Sequence, residues 1–185
     1  MVRRDQEGDI VGLLTSEIKN LIGAESGIEV ACEPVERGAV RRYVQACMDD
    51  DPIFHSQEVT HRLRYEAPVA PPLFPMNMFR RPFGTPDPFA EHAHNPDFDG
   101  IVGSTAQGLP PLPLPKGIGL LNAGTEVEVL RYARHGEVVT AKSRYHSITE
   151  KESSKGPMLL VVIETEYRTD GGELLLRVEK TQIRR

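Results

Sequence analysis

The stretch VERGAVRRYVQACMDDDPIFH, residues 35–55, decides the fold. Its apolar residues recur at the helical spacing i, i+3, i+4 and i+7: Val40, Tyr43, Val44 and Cys47. Pro52 prevents the helix from continuing beyond the acidic run, because proline lacks the backbone N–H that a helix interior needs. The apolar side is wide for a surface helix. We therefore expect a helix that is buried over most of its girth, with other elements wrapped around it.

Composition limits what kind of protein this is. The chain has 185 residues, a length that suits one domain over residues 1–185, and its net charge of −5 gives a nucleic-acid partner no electrostatic support. No apolar run is long enough to span a membrane, and no secretory signal is apparent. The two cysteines, Cys32 and Cys47, have no metal-site spacing and form no disulfide framework, so we expect a reduced, cytoplasmic protein.

The second half of the chain is predicted to form a sheet. Hydrophobic residues alternate with a period of two over residues 125–131, 137–150, 158–168 and 173–184, and short turn signals separate these segments. Such short connections imply antiparallel neighbours. Before them, the pattern predicts helices over residues 9–22 and 56–62, a strand over residues 28–32 and a short helix after Pro72.

A Pro/Gly-rich insertion over residues about 80–119 separates the two halves, and loops of this length are usually functional or disordered. Its His92 and His94 have no third and fourth ligand in the pattern, so we expect no metal. The element order predicts an α+β fold. Two arrangements satisfy it: a hotdog, in which a long antiparallel sheet wraps around a central helix, and a cystatin-like sheet.

Three motifs, VERGAVRRY (35–43), DDDPIFH (49–55) and VAPPLF (69–74), together with residues 150–152 and 164–171, carry a family resemblance. The chain resembles the MaoC-like dehydratases and (R)-specific enoyl-CoA hydratases, and most closely their N-terminal, FAS1-like dehydratase type. The resemblance implies a single hotdog domain. It also implies hydration of a trans-2-enoyl thioester, or the reverse dehydration, on coenzyme A or acyl carrier protein, with no metal or redox cofactor.

Active members of that family carry Asp-x-Asn-Pro-x-His, in which the imidazole and the carboxyl group share one water and move its proton. Alignment on Pro52 places Asp49 at the acidic position and Phe54 at the histidine position, and His55 follows one residue late. Pairing Asp50 with His55 restores the spacing but misplaces the proline. The candidate catalytic residues are therefore Asp49 and His55.

The resemblance also implies a partner. Hotdog subunits pair along their sheets with the acyl groove between them, and in some members one subunit supplies the dyad while the other shapes the groove. We expect this chain to be the second kind, in a heterodimer or homodimer. The substrate-binding candidates are Phe54, Ala70, Pro71, Pro72 and Phe74. The alternatives are a non-enzymatic thioester-binding or stabilising subunit, and a hotdog thioesterase.

Overall fold

The computed structural model describes residues 12–63, 65–79, 84, 90, 93–95, 108–154 and 156–185. Its helices are α1 (Ser16–Lys19), α2 (Arg37–Cys47) and α3 (Gln57–Arg62), with 3-10 turns at Pro52–Phe54 and Phe74–Asn77. Its strands are β1 (Glu29–Val30), β2 (Leu120–Val129), β3 (Val139–Ser153), β4 (Gly156–Thr169) and β5 (Leu174–Arg184).

The five strands form one antiparallel sheet in the order β1-β3-β4-β5-β2. The long β3–β4 hairpin runs from the pair Val139–Thr169 to the pair Ser153–Gly156. All four predicted strands of the second half are present, and one face of β3, β4 and β5 is buried, as the period-two alternation indicates. β2 begins at Leu120, five residues before the predicted start.

One face of the sheet carries the core, in two clusters. The first lies under α2 and contains Val40, Val44, Ala141 and Tyr167, and the second contains Ile18, Tyr145, Leu159 and Val161. Between them, the buried hydroxyls of Ser143 and Thr165 hydrogen-bond at 2.8 Å across β3 and β4. The buried polar pair is thus satisfied, as a dry core requires.

Helix α2 is buried along one stripe only. Val40 and Val44 are buried, Ala39 and Tyr43 are half-buried, and Cys47 is exposed. The prediction that α2 is buried over most of its girth is therefore wrong for this chain. A helix that packs on a single layer buries only the residues facing that layer, and here the layer is the sheet.

The N-terminal helix is also shorter than predicted. It is a single turn, α1, because the hydroxyl of Thr15 accepts a hydrogen bond from the Ile18 N–H (3.3 Å) and starts the helix there. The predicted start at residue 9 lies outside the described residues. The predicted helix over residues 56–62 is present as α3, and Ser56 caps it, with its hydroxyl accepting a hydrogen bond from the Val59 N–H.

Of the insertion, the structure describes residues 84, 90, 93–95 and 108–119, and the last of these segments packs in the second core cluster through Leu109, Leu112, Leu114 and Ile118. Residues 80–83, 85–89, 91–92 and 96–107, which include His92, lie outside the described residues. Among the helices described, none has the length and apolar character needed to cross a bilayer.

Candidate functional site

The chain turns sharply where α2 ends. Met48 adopts the left-handed conformation (φ 54°, ψ 37°), which is costly for a residue with a side chain, and its own side chain is 91% exposed. The Asp49 N–H then donates to the Val44 carbonyl (2.9 Å) and closes the helix end. The turn ends α2, and the acidic run follows beyond the C-terminus of the helix. Strained backbone of this kind clusters at functional sites.

The three aspartates after the turn have different roles. Asp51 accepts a hydrogen bond from the Ile53 N–H (3.0 Å) and caps the 3-10 turn that Pro52 begins. Asp49 accepts weakly from the Asp51 N–H (3.3 Å), and both Asp49 and Asp50 are exposed. The 3-10 turn places Phe54 inward and leaves His55 exposed beside the aspartates.

A groove of about 600 Å³ lies along α2 and this turn. Its apolar lining residues are Val44, Met48 and Phe54, and its polar lining residues are Arg37, Arg41, Gln45, Asp49, Asp50 and His55. Both sequence candidates for catalysis, Asp49 and His55, therefore line one groove. They form no hydrogen bond or ion pair with each other, and both stand at its exposed wall.

Phe54 belongs to the core and to the groove together. It is only 5% exposed and packs in the first core cluster, yet it contributes to the groove wall. A phenyl ring neither donates nor accepts a proton, so this position can shape a binding site but cannot act as a general base.

The remaining substrate-binding candidates lie in the segment that follows α3. Ala70, Pro71 and Phe74 are buried and Pro72 is half-buried. The Ala70 N–H donates to the Ala133 carbonyl at 2.7 Å, and the ring of Phe74 packs edge-on against Tyr43 at 5.5 Å. None of the four lines the groove formed by the described residues, and their contact with substrate stays a prediction.

Sequence reasoning missed Arg37, Arg41 and Gln45 as lining residues. They repeat every fourth residue along α2, which places them on one face. The spacing is visible in the sequence, but arginines on the polar side of a helix are also typical of a surface exposed to solvent, so the spacing alone does not indicate a groove.

One other cluster holds side chains of metal-ligand type, on the sheet face opposite the core. The ligand atoms of His146, Glu164 and Glu179 lie within 4.8 Å of one another. Arg144 already engages both oxygens of Glu164, at 2.8 and 3.2 Å, and its positive charge opposes a cation there. We therefore assign no metal to this cluster.

Comparison with solved structures shows the fold. The ChsH1-ChsH2 complex of Mycobacterium tuberculosis matches with a TM-score of 0.65 and 17% identity, covering 91% of this chain and 86% of that chain. The C-terminally truncated HadBC (3R-hydroxyacyl-ACP dehydratase) complex of M. tuberculosis matches with a TM-score of 0.56 and 19% identity, covering 88% and 96%. The (R)-hydratase of A. caviae involved in PHA biosynthesis matches with a TM-score of 0.54 and 14% identity, covering 87% of this chain and 94% of that chain.

These relatives are hotdog proteins, and the antiparallel sheet with α2 on its inner face has the same architecture. The hotdog alternative is thus confirmed over the cystatin-like one. No curated protein matches the chain. The model of the FAS1-like, dehydratase domain region matches residues 20–178, most of the sequence. On this evidence the chain, which has the hotdog fold, belongs to the FAS1-like dehydratase domain family.

Proposed function

We propose that this protein is a subunit of an (R)-specific enoyl-thioester hydratase or 3-hydroxyacyl-thioester dehydratase. It shapes the acyl groove, and a second hotdog subunit supplies the Asp/His dyad. The family and fold support the reaction class. Adding water across a double bond transfers no net electrons, so the proposed reaction needs proton transfer and an oxyanion site but neither a metal nor a redox cofactor.

Phe54 carries the assignment of this chain to the groove-shaping role. It occupies the position of the family histidine, and burial fixes its ring in the wall of the groove. His55 is adjacent in sequence, but it and Asp49 are both exposed in this chain, whereas a catalytic water shared by an imidazole and a carboxyl group is held in a site that excludes bulk solvent.

The edge of the sheet supports a partner subunit. Strand β2 pairs with β5 on one side only, and its residues are exposed apart from Leu120 and Val127. Leu121, Val129 and the following Leu130 expose apolar side chains there. A long edge with apolar side chains and unpaired backbone groups favours strand pairing with another chain. Two of the similar structures are complexes of two named subunits, ChsH1-ChsH2 and HadBC.

The test is to purify the full chain alone and measure two quantities with crotonyl-CoA: binding by calorimetry, and hydration by loss of the enoyl absorbance. We expect binding with no turnover above the enzyme-free rate, and turnover once a catalytic hotdog subunit is added. Robust turnover by the chain alone, abolished by Asp49→Asn, would show that it carries its own dyad and would refute the partner role. Absence of any binding would refute the thioester groove.

A further inference from the structure

The groove has opposite charge at its two ends. Arg37 and Arg41 line it beside the first half of α2, whereas Asp49 and Asp50 line it beyond the C-terminus of the helix. The apolar side chains of Val44, Met48 and Phe54 contribute its remaining wall. A ligand lying along the helix therefore meets a cationic end, an apolar stretch and an anionic end in that order.

The arginines at the cationic end have no carboxylate partner among the described residues. The chain has 27 acidic and 22 basic residues, so acids are in excess. Six other arginines pair with glutamates within 4.0 Å, whereas Arg42, which does not line the groove, also has no such pair among the described residues; the six are Arg62, Arg131, Arg134, Arg144, Arg168 and Arg177. Arg41 instead donates from Nη1 to the amide oxygen of Gln45 at 2.8 Å. That neutral partner orients the guanidinium and leaves its charge uncompensated.

We propose that Arg37 and Arg41 bind a phosphate group of the carrier that holds the thioester. The proposal rests on the function proposed above, and it adds the chemical class of the group recognised and the direction in which the substrate lies. A planar guanidinium matches phosphate oxygens with two parallel N–H donors, and two arginines one turn apart on a helix present their donors together.

The length of α2 fits this orientation. Its 11 residues span about 16 Å at 1.5 Å per residue. An extended pantetheine arm, which separates the phosphate from the thioester sulfur, has a comparable reach. With the phosphate at Arg37 and Arg41, the thioester lies near Asp49 and His55, and the acyl chain lies against Phe54. The reverse orientation would bring the phosphate to two aspartates, and like charges at such distances repel.

The experiment compares three crotonyl thioesters that differ only in phosphate content: crotonyl-CoA, crotonyl-4′-phosphopantetheine and crotonyl-pantetheine. Affinities of the full chain are measured by calorimetry for the wild type, for Arg37→Gln/Arg41→Gln and for Arg42→Gln. Arg42 is the matched control, because it is an exposed arginine on the same helix that does not line the groove. Denaturation curves verify that all three proteins are equally folded.

We expect the double variant to bind crotonyl-CoA about tenfold more weakly than the wild type, since charge-assisted bonds at an exposed site are partly screened. It should bind crotonyl-pantetheine as the wild type does, and Arg42→Gln should change neither. If the loss already appears with crotonyl-4′-phosphopantetheine, the arginines bind the phosphate that coenzyme A shares with acyl carrier protein. If it appears only with crotonyl-CoA, they bind the nucleotide phosphates.

Two results would overturn the proposal, and they differ in whether the proposed function fails with it. If the wild type and the double variant bind all three compounds alike, phosphate recognition is wrong while the thioester groove stands. If the wild type binds none of the three, the proposed function fails and this inference fails with it.

Discussion

Replacing Phe54 by alanine is expected to lower the free energy of unfolding by about 3–5 kcal/mol. The ring is 5% exposed and packs in the first core cluster, so its removal both loses buried apolar area and leaves a cavity. A domain of ordinary stability, about 5–15 kcal/mol, retains its fold after such a loss only narrowly. Phe54→Leu keeps most of the volume and should cost about 1 kcal/mol.

Urea denaturation followed by circular dichroism measures both changes. Leu73→Ala is the control, because Leu73 precedes the nearby 3-10 turn, is 43% exposed and should cost about 0.5 kcal/mol or less. Phe54→Leu, which stays folded, should also weaken binding of longer acyl thioesters more than that of crotonyl-CoA, because the lost ring edge faces the groove. A cost below 1 kcal/mol for Phe54→Ala would refute the burial, and unchanged acyl-chain dependence in Phe54→Leu would refute its place in the acyl site.

Three further substitutions test the site, the electrostatics and the sheet edge. Asp49→Asn should leave stability within about 0.5 kcal/mol and leave turnover of the complex with a catalytic subunit unchanged; a loss of about 100-fold or more would make Asp49 a catalytic residue. The Arg168 guanidinium donates hydrogen bonds to the Glu166 carboxylate and lowers its pKa in the folded protein. Ionised Glu166 therefore stabilises the fold fully at pH values above the unfolded-state pKa of about 4.3. That stabilisation is lost as the pH falls through the lower pKa of the folded protein. Glu166→Gln should therefore cost up to about 1 kcal/mol at pH 7, and its stability should converge with that of the wild type below about pH 4; a constant difference across pH 3–7 would contradict this. Val129→Lys, on the exposed edge strand, should remain a folded monomer in light scattering when the catalytic subunit is added, whereas the wild type and Ile28→Lys, beside the opposite edge, should form the heterodimer; heterodimer formation by Val129→Lys would exclude this edge as the interface.

The sheet could be predicted from the sequence because β3, β4 and β5 each bury one face, which gives a hydrophobic period of two over ten or more residues. The ends of the strands were harder to predict. β2 is exposed on both faces along most of its length, so Leu120 and Leu121 carry no alternation that marks a strand start. The pairing of β2 with β5 depends on contacts far apart in sequence, which local pattern does not encode.

For α2, the sequence pattern led to an overestimate of burial. Tyr43, Cys47 and the flanking alanines widen the apolar side of α2, and that width led to the expectation of burial on most sides. Burial depends on how many layers meet a helix, and in this chain one sheet meets it.

The resemblance identified the groove residues Asp49, Phe54 and His55, and the structure brings all three to one groove. Arg37 and Arg41 could not be distinguished by sequence from ordinary surface arginines. Their place in the groove depends on the turn at Met48, whose left-handed conformation no residue preference predicts and after which Asp49 and Asp50 line the same groove.

The central claim is that the acyl thioester lies in the groove along α2, against Phe54. Photolabelling the full chain with a diazirine-bearing acyl-CoA, followed by peptide mapping with excess crotonyl-CoA as competitor, tests it most directly. We expect competed labelling within residues 44–55. Competed labelling confined to the opposite face of the sheet, around His146 and Glu179, would contradict the account.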